Sequence, residues 1–472
     1  MGSRTERLTP LDVSFLYFEA PTTPMHVGGV AVFAPPAEAP VDYERVVSII
    51  EDRIDLVPRY RQKVRWVPGH LANPVWVDDA DFDVTYHVRR SALPRPGSDD
   101  QLRELVGRLM SRPLDRGRPL WEIYLVEGLS GGRVALVTKT HHAMVDGRSA
   151  MDIGALILDV TPEPRSNDHE PWHPDREPHR VELVAGAVTD LVRRPLLAVD
   201  TVRTGIIDAK ALSERALGAA AGLLSAARVG IRQAPKSPVN AEIGQQRRYG
   251  MCATDLDDYK LVRKAHGGTV NDVVLACVAG GLRAWLLTRG EPVTPRTTLR
   301  AMVPVSVRPA GAQGDGGNKV SSYFVDLPVG EPNPVVRLTQ VSYAMQGVKD
   351  QHQTMGADAI VALSGFAPPT LHALGARLAS TLTRRLFNLV VTNVPGPQFP
   401  LYAAGARMES VYPVVPLAKG QAVCIGLTSY DGGVFYGLNA DRDAMPDVDV
   451  LAQCIGEAVE ELVATVPGQR HG

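Results

Sequence analysis

Two mixed α/β halves joined by a helical connector are the fold this sequence predicts, and three observations carry it. Strand-like and helix-like segments alternate over residues 1–160 and again over 246–472. Between them, residues 161–180 hold five prolines and little apolar content, which reads as an exposed linker. Residues 181–232 then form an Ala- and Leu-rich helical tract, broken once at Pro195. The division is therefore 1–160, a linker and connector over 161–245, and 246–472.

Size and composition agree. A chain of 472 residues with 44% apolar and 22% charged residues lies in the soluble globular range and can bury a large core without staples. Fifty basic against 52 acidic residues give a net charge of -2, which argues against a nucleic-acid partner. Cys252, Cys277, Cys424 and Cys454 are far apart, with no CxxC pair, so a zinc ribbon is disfavoured and a reducing cytoplasm fits. The charged start has no apolar run of a signal peptide. Two stretches without charge, 359–376 and 386–406, are broken by prolines and do not read as spanning helices.

The elements follow in order. Gly29–Phe33 and Val64–Val67 read as short strands, and Asp42–Val57 has helical spacing through Val46, Val47, Ile49, Ile50 and Ile54. Gln101–Met110 is an amphipathic helix. Trp121–Glu127 and Arg133–Thr140 are strands joined by Gly128-Leu129-Ser130-Gly131-Gly132, a hairpin signature. The 181–232 tract has two readings: it packs on the protein, or it lays an apolar face on a lipid surface. Beyond it, Asp255–Ala265 and Asn271–Arg289 read as helices, Thr298–Val305 and Val320–Leu327 as strands, and 309–318 as a Gly-rich loop. Helices are expected at 334–350, 371–385 and Val448–Val463, and strands at Leu386–Thr392, Ala422–Thr428 and Val434–Leu438.

The sharpest chemical feature is Thr140-His141-His142-Ala143-Met144-Val145-Asp146-Gly147, where an apolar strand ends in two histidines. Neighbouring side chains of a strand point to opposite faces, so one histidine faces a reaction centre and the other supports it. Imidazole is suited to accept a proton near neutral pH. Two diverging histidines make a poor metal site. The G-x-S-x-G pattern at Ser130 lacks the strand-to-helix elbow of a hydrolase nucleophile. Two further clusters carry polar groups. Gly267-Gly268-Thr269-Val270-Asn271-Asp272 opens a helix, where Thr269 or Asn271 could cap it or polar groups could face a cleft. Thr392-Asn393-Val394-Pro395-Gly396-Pro397 ends a strand in a rigid turn, where Thr392 or Asn393 could donate to an oxyanion.

Together these residues resemble one family. His141-His142-Ala143-Met144-Val145-Asp146-Gly147 resembles the HHxxxDG signature of the CoA-dependent acyltransferases. Within that superfamily the chain resembles the bacterial wax ester synthase/diacylglycerol acyltransferases. The resemblance rests on Leu8-Thr9-Pro10-Leu11-Asp12-Val13-Ser14-Phe15-Leu16, Pro24-Met25-His26-Val27-Gly28-Gly29, Pro119-Leu120-Trp121, Asn271-Asp272, Gly317-Asn318-Lys319-Val320 and Asn393-Val394-Pro395-Gly396-Pro397. Thr392 stands where many members carry serine.

The resemblance implies two chloramphenicol-acetyltransferase-like domains with an active-site tunnel between them. It implies acyl transfer from long-chain acyl-CoA to a diacylglycerol or a long-chain alcohol, without metal, tightly bound organic cofactor or covalent acyl-enzyme. His142 would be the general base, His141, Asp146 and Gly147 its supports. Asn271, Asp272, Thr392, Asn393, Gly396, Pro119, Leu120 and Trp121 would form the substrate-binding set. Lipid substrates imply a cytoplasmic protein peripheral on the inner membrane face or on lipid droplets. Rival readings are a carrier-protein-dependent transferase acting on a polyketide-type alcohol and a non-catalytic lipid-droplet-binding protein. Wax ester and triacylglycerol synthesis share every motif quoted, so both acceptors stand.

Overall fold

The computed structural model describes residues 6–35, 41–145, 153–165, 172–193, 233–307, 319–350, 355–356 and 386–468. The N-terminal half runs β1 (Glu6–Arg7), α1 (Pro10–Phe18), β2 (His26–Phe33), α2 (Tyr43–Arg53), β3 (Gln62–Arg65), β4 (Val75–Asp78), α3 (Val84–His87), β5 (Val88–Ala92), α4 (Asp99–Met110), β6 (Trp121–Glu127), β7 (Val134–His141), α5 (Ile153–Ile157), β8 (Leu158–Asp159) and α6 (Arg180–Arg193). The C-terminal half runs β9 (Arg247–Asp255), α7 (Leu256–His266), α8 (Val270–Thr288), β10 (Leu299–Val307), β11 (Lys319–Leu327), α9 (Pro334–Asp350), β12 (Met355–Gly356), β13 (Leu389–Pro395), β14 (Tyr402–Ala403), β15 (Ala406–Val414), β16 (Val423–Tyr430), β17 (Gly433–Asp441) and α10 (Val448–Val463).

Two seven-stranded sheets organise these elements, with a small β1-β4-β3 sheet beside them. The first sheet has the order β5-β6-β7-β2-β15-β14-β8 and the second β12-β11-β10-β13-β16-β17-β9. Sheet membership does not follow chain order. β15 comes from the C-terminal half yet pairs antiparallel with β2, Tyr412 opposite Val30. A shared sheet therefore unites the halves. A second tie is Arg247, whose backbone N–H donates to Ser111 Oγ at 2.8 Å and whose guanidinium reaches Thr22 O.

Local sequence explains the helices that frame the site. Thr9 caps α1: its Oγ1 accepts from Asp12 N at 3.2 Å while Asp12 Oδ2 accepts from Thr9 N at 3.3 Å. Such a capping box is worth about 1 kcal/mol. α4 opens on the same device at Ser98 and Gln101, then buries Leu102, Leu105, Val106 and Leu109 on one stripe. α8 is capped by Thr269 and Asp272 and is buried along most of its length. It is long and apolar enough to cross a membrane, but 72% of that stretch is buried inside the protein, as in a core helix. Gly280 and Gly281 allow this: a Cβ on Gly281 would stand 2.9 Å from the Ile455 backbone of α10.

Several expectations are adjusted. The helix expected over Asp42–Val57 stops at Arg53 and continues as one 3₁₀ turn, Ile54–Leu56. Residues 172–179 carry no regular element but are strapped down. Arg61 stacks on Trp172 at 4.4 Å, and Glu177 pairs with Arg65 at 2.7 Å. α6 packs on the protein through Leu183 and Ala187 against Val67, Val75 and Val77. The rest of the tract, the 309–318 loop, the 359–376 stretch and the 371–385 helix lie outside the described residues.

Candidate active site

β7 delivers both histidines and parts them. His141 closes the ladder opposite His26. It is fully buried, and its Nδ1 accepts from Ala143 N–H at 3.0 Å, capping the turn His142–Met144. That bond leaves the ring proton on Nε2, 3.8 Å from Glu19 Oε2. Burial, then the charge of Arg116 and the neighbouring His142, push the His141 pKa down to about 3.

His142 leaves the strand. Its backbone N–H donates to Met25 O at 2.8 Å, and its ring stacks on Phe15 with centroids 3.9 Å apart and planes 18° apart. Its Nδ1 is buried without a hydrogen-bond partner among the described residues. Burial lowers its pKa, opposed in part by its own backbone carbonyl. Both rings are therefore neutral at pH 7, the state in which imidazole can accept a proton. Asp146 and Gly147 lie outside the described residues.

Residues absent from the sequence-derived site surround this pair. Arg116 binds the Glu19 carboxylate through Nε at 2.8 Å and through Nη2, which also donates to Leu16 O at 2.9 Å. Glu19 Oε1 accepts from Met25 N–H at 3.4 Å. Glu19 did carry a sequence signal: it is the only Asp, Glu, Lys or Arg in residues 13–37.

Pro119, Leu120 and Trp121, expected as substrate contacts, are core. Leu120 and Trp121 are 0% exposed, so neither offers a surface to a ligand. Trp121 Nε1 donates to Tyr60 O at 2.7 Å, its ring stacks on His87 at 4.5 Å, and Leu120 O accepts from His141 N–H at 2.9 Å. This segment is the floor beneath His141.

In the C-terminal half the structure joins the start of α8 to the end of β13. Asn393 Nδ2 donates to Asn271 Oδ1 at 3.2 Å across 122 positions. With its oxygen engaged, Asn271 has its own NH₂ group to offer a substrate. Asp272 faces the helix backbone: its Oδ2 accepts from Thr269 N–H at 2.8 Å, and its Oδ1 is buried without a partner among the described residues. Thr392 neighbours Asn393 on the strand and so takes the other face. Gly396 is required by packing, since a Cβ there would meet Ser429 O at 2.5 Å. Its own N–H donates to that oxygen at 3.0 Å, which clasps the turn to the β16–β17 hairpin.

The structure thus assembles two polar groups, one around His142 and one at Asn271 and Asn393, which share no hydrogen bond. A cavity of about 740 Å³, lined by Lys236, Arg296 and Leu299 among others, touches neither group. Among the described residues no His, Cys, Asp or Glu cluster could hold a metal ion. Ser130 sits in the exposed turn between β6 and β7, where its Oγ accepts from Arg133 at 3.1 Å and meets no histidine.

Comparison with known proteins gives this geometry a family. The wax ester synthase/diacylglycerol acyltransferase catalytic domain matches residues 8–274, and the C-terminal domain of the same family matches residues 316–463. The chain is 36% identical over 463 residues to a probable diacylglycerol O-acyltransferase of Mycobacterium tuberculosis, covering 97% of this chain and 96% of that one. A second probable diacylglycerol O-acyltransferase of that organism is 35% identical over 473 residues, with 97% and 99% covered. Among solved structures, the wax ester synthase/diacylglycerol acyltransferase of Marinobacter aquaeolei superposes with a TM-score of 0.67 at 30% identity, covering 97% of this chain and 98% of that one. A variant of the starter condensation domain of rhizomide synthetase RzmA superposes with a TM-score of 0.50 at 13% identity, covering 98% and 97%, and so shares the fold alone. Two acyltransferase-like domains and motifs spanning nearly the whole sequence place this chain in the wax ester synthase/diacylglycerol acyltransferase family.

Proposed function

We propose that this protein moves a long-chain acyl group from acyl-CoA to the hydroxyl of a diacylglycerol or a long-chain alcohol, with His142 as general base. The observation that carries the reading is a neutral His142, held at a strand end against Phe15, in a chain matched end to end by this acyltransferase family.

The chemistry follows from the parts. The imidazole takes the proton of the acceptor hydroxyl as its oxygen bonds to the thioester carbonyl carbon. A positioned base contributes roughly 10²–10⁴-fold. The tetrahedral oxyanion needs donors, and the NH₂ of Asn271, oriented by Asn393, is the group suited to supply one. The carbon–sulfur bond then breaks, and the CoA thiolate takes the proton back from His142. Ester and CoA leave, and the enzyme is unchanged. No acyl-enzyme, metal or organic cofactor enters this balance.

Acceptor and donor are both lipids, which favours action at a cytoplasmic membrane face or a droplet surface. Val394 and Phe399, on the turn after Asn393, are exposed apolar residues suited to such a rim. The test is ester formation by purified protein from palmitoyl-CoA with diolein or hexadecanol. Triacylglycerol or wax ester formed in step with CoA release is expected, and the preferred product names the acceptor. Transfer only from acyl groups loaded on a carrier protein would favour the carrier-dependent reading. No transfer from either donor would leave a non-catalytic lipid binder.

A further inference from the structure

Glu19 is a nearly buried carboxylate with a conspicuous set of neighbours. Its side chain is 9% exposed, and a carboxylate taken that far out of water needs partners. Arg116 supplies the charge, binding the carboxylate through two nitrogens while Nη2 also grips Leu16 O. The remaining contacts all lead to His142 by separate routes. Glu19 follows Phe15 by four residues and closes α1 with a backbone bond to Phe15 O at 3.1 Å. Phe15 is the ring on which His142 stacks. Glu19 Oε1 holds Met25 N–H, and Met25 O holds the backbone N–H of His142. Glu19 Oε2 faces Nε2 of His141, whose other nitrogen caps the turn that carries His142.

We propose that the Glu19–Arg116 pair is a positioning device for the general base: it holds the Met25 backbone that anchors His142 and sets a carboxylate facing the supporting histidine. This rests on the acyl-transfer reading above for its kinetic consequence but not for its structural one. The carboxylate does not touch substrate. The Ala143 N–H selects the His141 tautomer with the proton on Nε2, and the carboxylate faces that nitrogen at 3.8 Å. Neutralising either partner loosens the Met25 anchor and removes the charge that faces His141. A misplacement of about 1 Å at the reacting atoms costs on the order of 100-fold in rate.

The test compares Glu19→Gln, Glu19→Asp, Arg116→Gln and the Glu19→Gln/Arg116→Gln double variant with wild type and His142→Ala. Two readouts are used: kcat and KM for palmitoyl-CoA, and the ¹⁵N imidazole spectrum of His141 and His142. Glu19→Gln and Arg116→Gln are each expected to lower kcat by roughly 10–100-fold, with KM little changed. The double variant should be no worse than either single one, and Glu19→Asp should recover part of the rate. In Glu19→Gln the His141 Nε2–H resonance, which faces the carboxylate, should shift while the melting transition stays cooperative. Wild-type kcat and an unaltered spectrum in Glu19→Gln, with His142→Ala inactive, would overturn the positioning role and leave the acyltransferase reading intact. Additive losses in the double variant would overturn it as well. Should wild type prove inactive, the acyltransferase reading fails and the spectrum of Glu19→Gln still decides the positioning role.

Discussion

The two halves lay down the same four-stranded ladder and finish it differently. β2, β7, β6 and β5 pair antiparallel, antiparallel and parallel, and β9, β17, β16 and β13 repeat that sequence of pairings. In both ladders the last residue of the second strand lies opposite the first residue of the first strand: His141 opposite His26, Asp441 opposite Arg247. In the C-terminal copy this corner is a lock. Asp441 approaches Arg247 at 3.7 Å and accepts from the backbone N–H groups of Gly244 at 2.7 Å and Ala444 at 2.9 Å. In the N-terminal copy it is neutral. Burial holds His26 and His141 uncharged, and the chain leaves the strand one residue later with His142 on Phe15. One architecture therefore carries a charged lock at one corner and, at the other, the neutral histidine proposed above as the base. The second copy contributes chemistry from a different strand, β13, through Asn393 and its partner Asn271.

Substitutions at the two corners sharpen this contrast. The largest effect after loss of the base itself is expected at Asn271→Ala, which removes an oxyanion donor and should lower kcat by about 10²–10³-fold with acyl-CoA binding nearly unchanged. Steady-state kinetics check it, and a wild-type kcat would remove Asn271 from the mechanism. Asp441→Ala acts on the other corner. It leaves the buried Arg247 without its counter-charge and should cost about 3–5 kcal/mol in urea unfolding, with the turnover of the folded fraction preserved. A variant that kept its stability but lost turnover would break the division of labour proposed here.

How far these corners were legible in the sequence varies. The strand leading into His141 and His142, and the capped start of α8, show in local periodicity and capping residues, and both stand where the sequence put them. The sheet shared through β15 is invisible at that level, because strand pairing between Met408 and Phe33 is a long-range choice. Alternation in ARMESVYPV is weak, and Pro413 breaks the pattern of an interior strand. The Pro119-Leu120-Trp121 segment misled for a related reason: a motif recurs equally when it is core or contact, and burial separates the two. Glu19 and Arg116 lie 97 positions apart, and their pairing is likewise set only by the fold.

A smaller effect tests the Trp121 assignment. Trp121→Phe keeps an aromatic ring but removes the indole N–H that donates to Tyr60 O, so a loss of about 1–3 kcal/mol in stability is expected, with KM for acyl-CoA unchanged. A selective rise in KM would restore Trp121 as a substrate contact. The smallest effect is on pH. His141 titrates near 6.5 when unfolded and at about 3 when folded, so the unfolded chain binds more protons between these values. Its contribution is complete above pH 6.5 and is lost as pH falls, about 2 kcal/mol by pH 5. Urea midpoints at pH 7.5 and 5 check the sign.

The most direct measurement is CoA release from palmitoyl-CoA with diolein or hexadecanol by wild type, His142→Ala and Ser130→Ala, after circular dichroism shows all three folded. Acceptor-dependent release that falls by about 10²–10⁴-fold in His142→Ala and is untouched in Ser130→Ala is the expected result. Release that survives His142→Ala, or collapses in Ser130→Ala, would contradict a mechanism built on a neutral histidine at the end of β7.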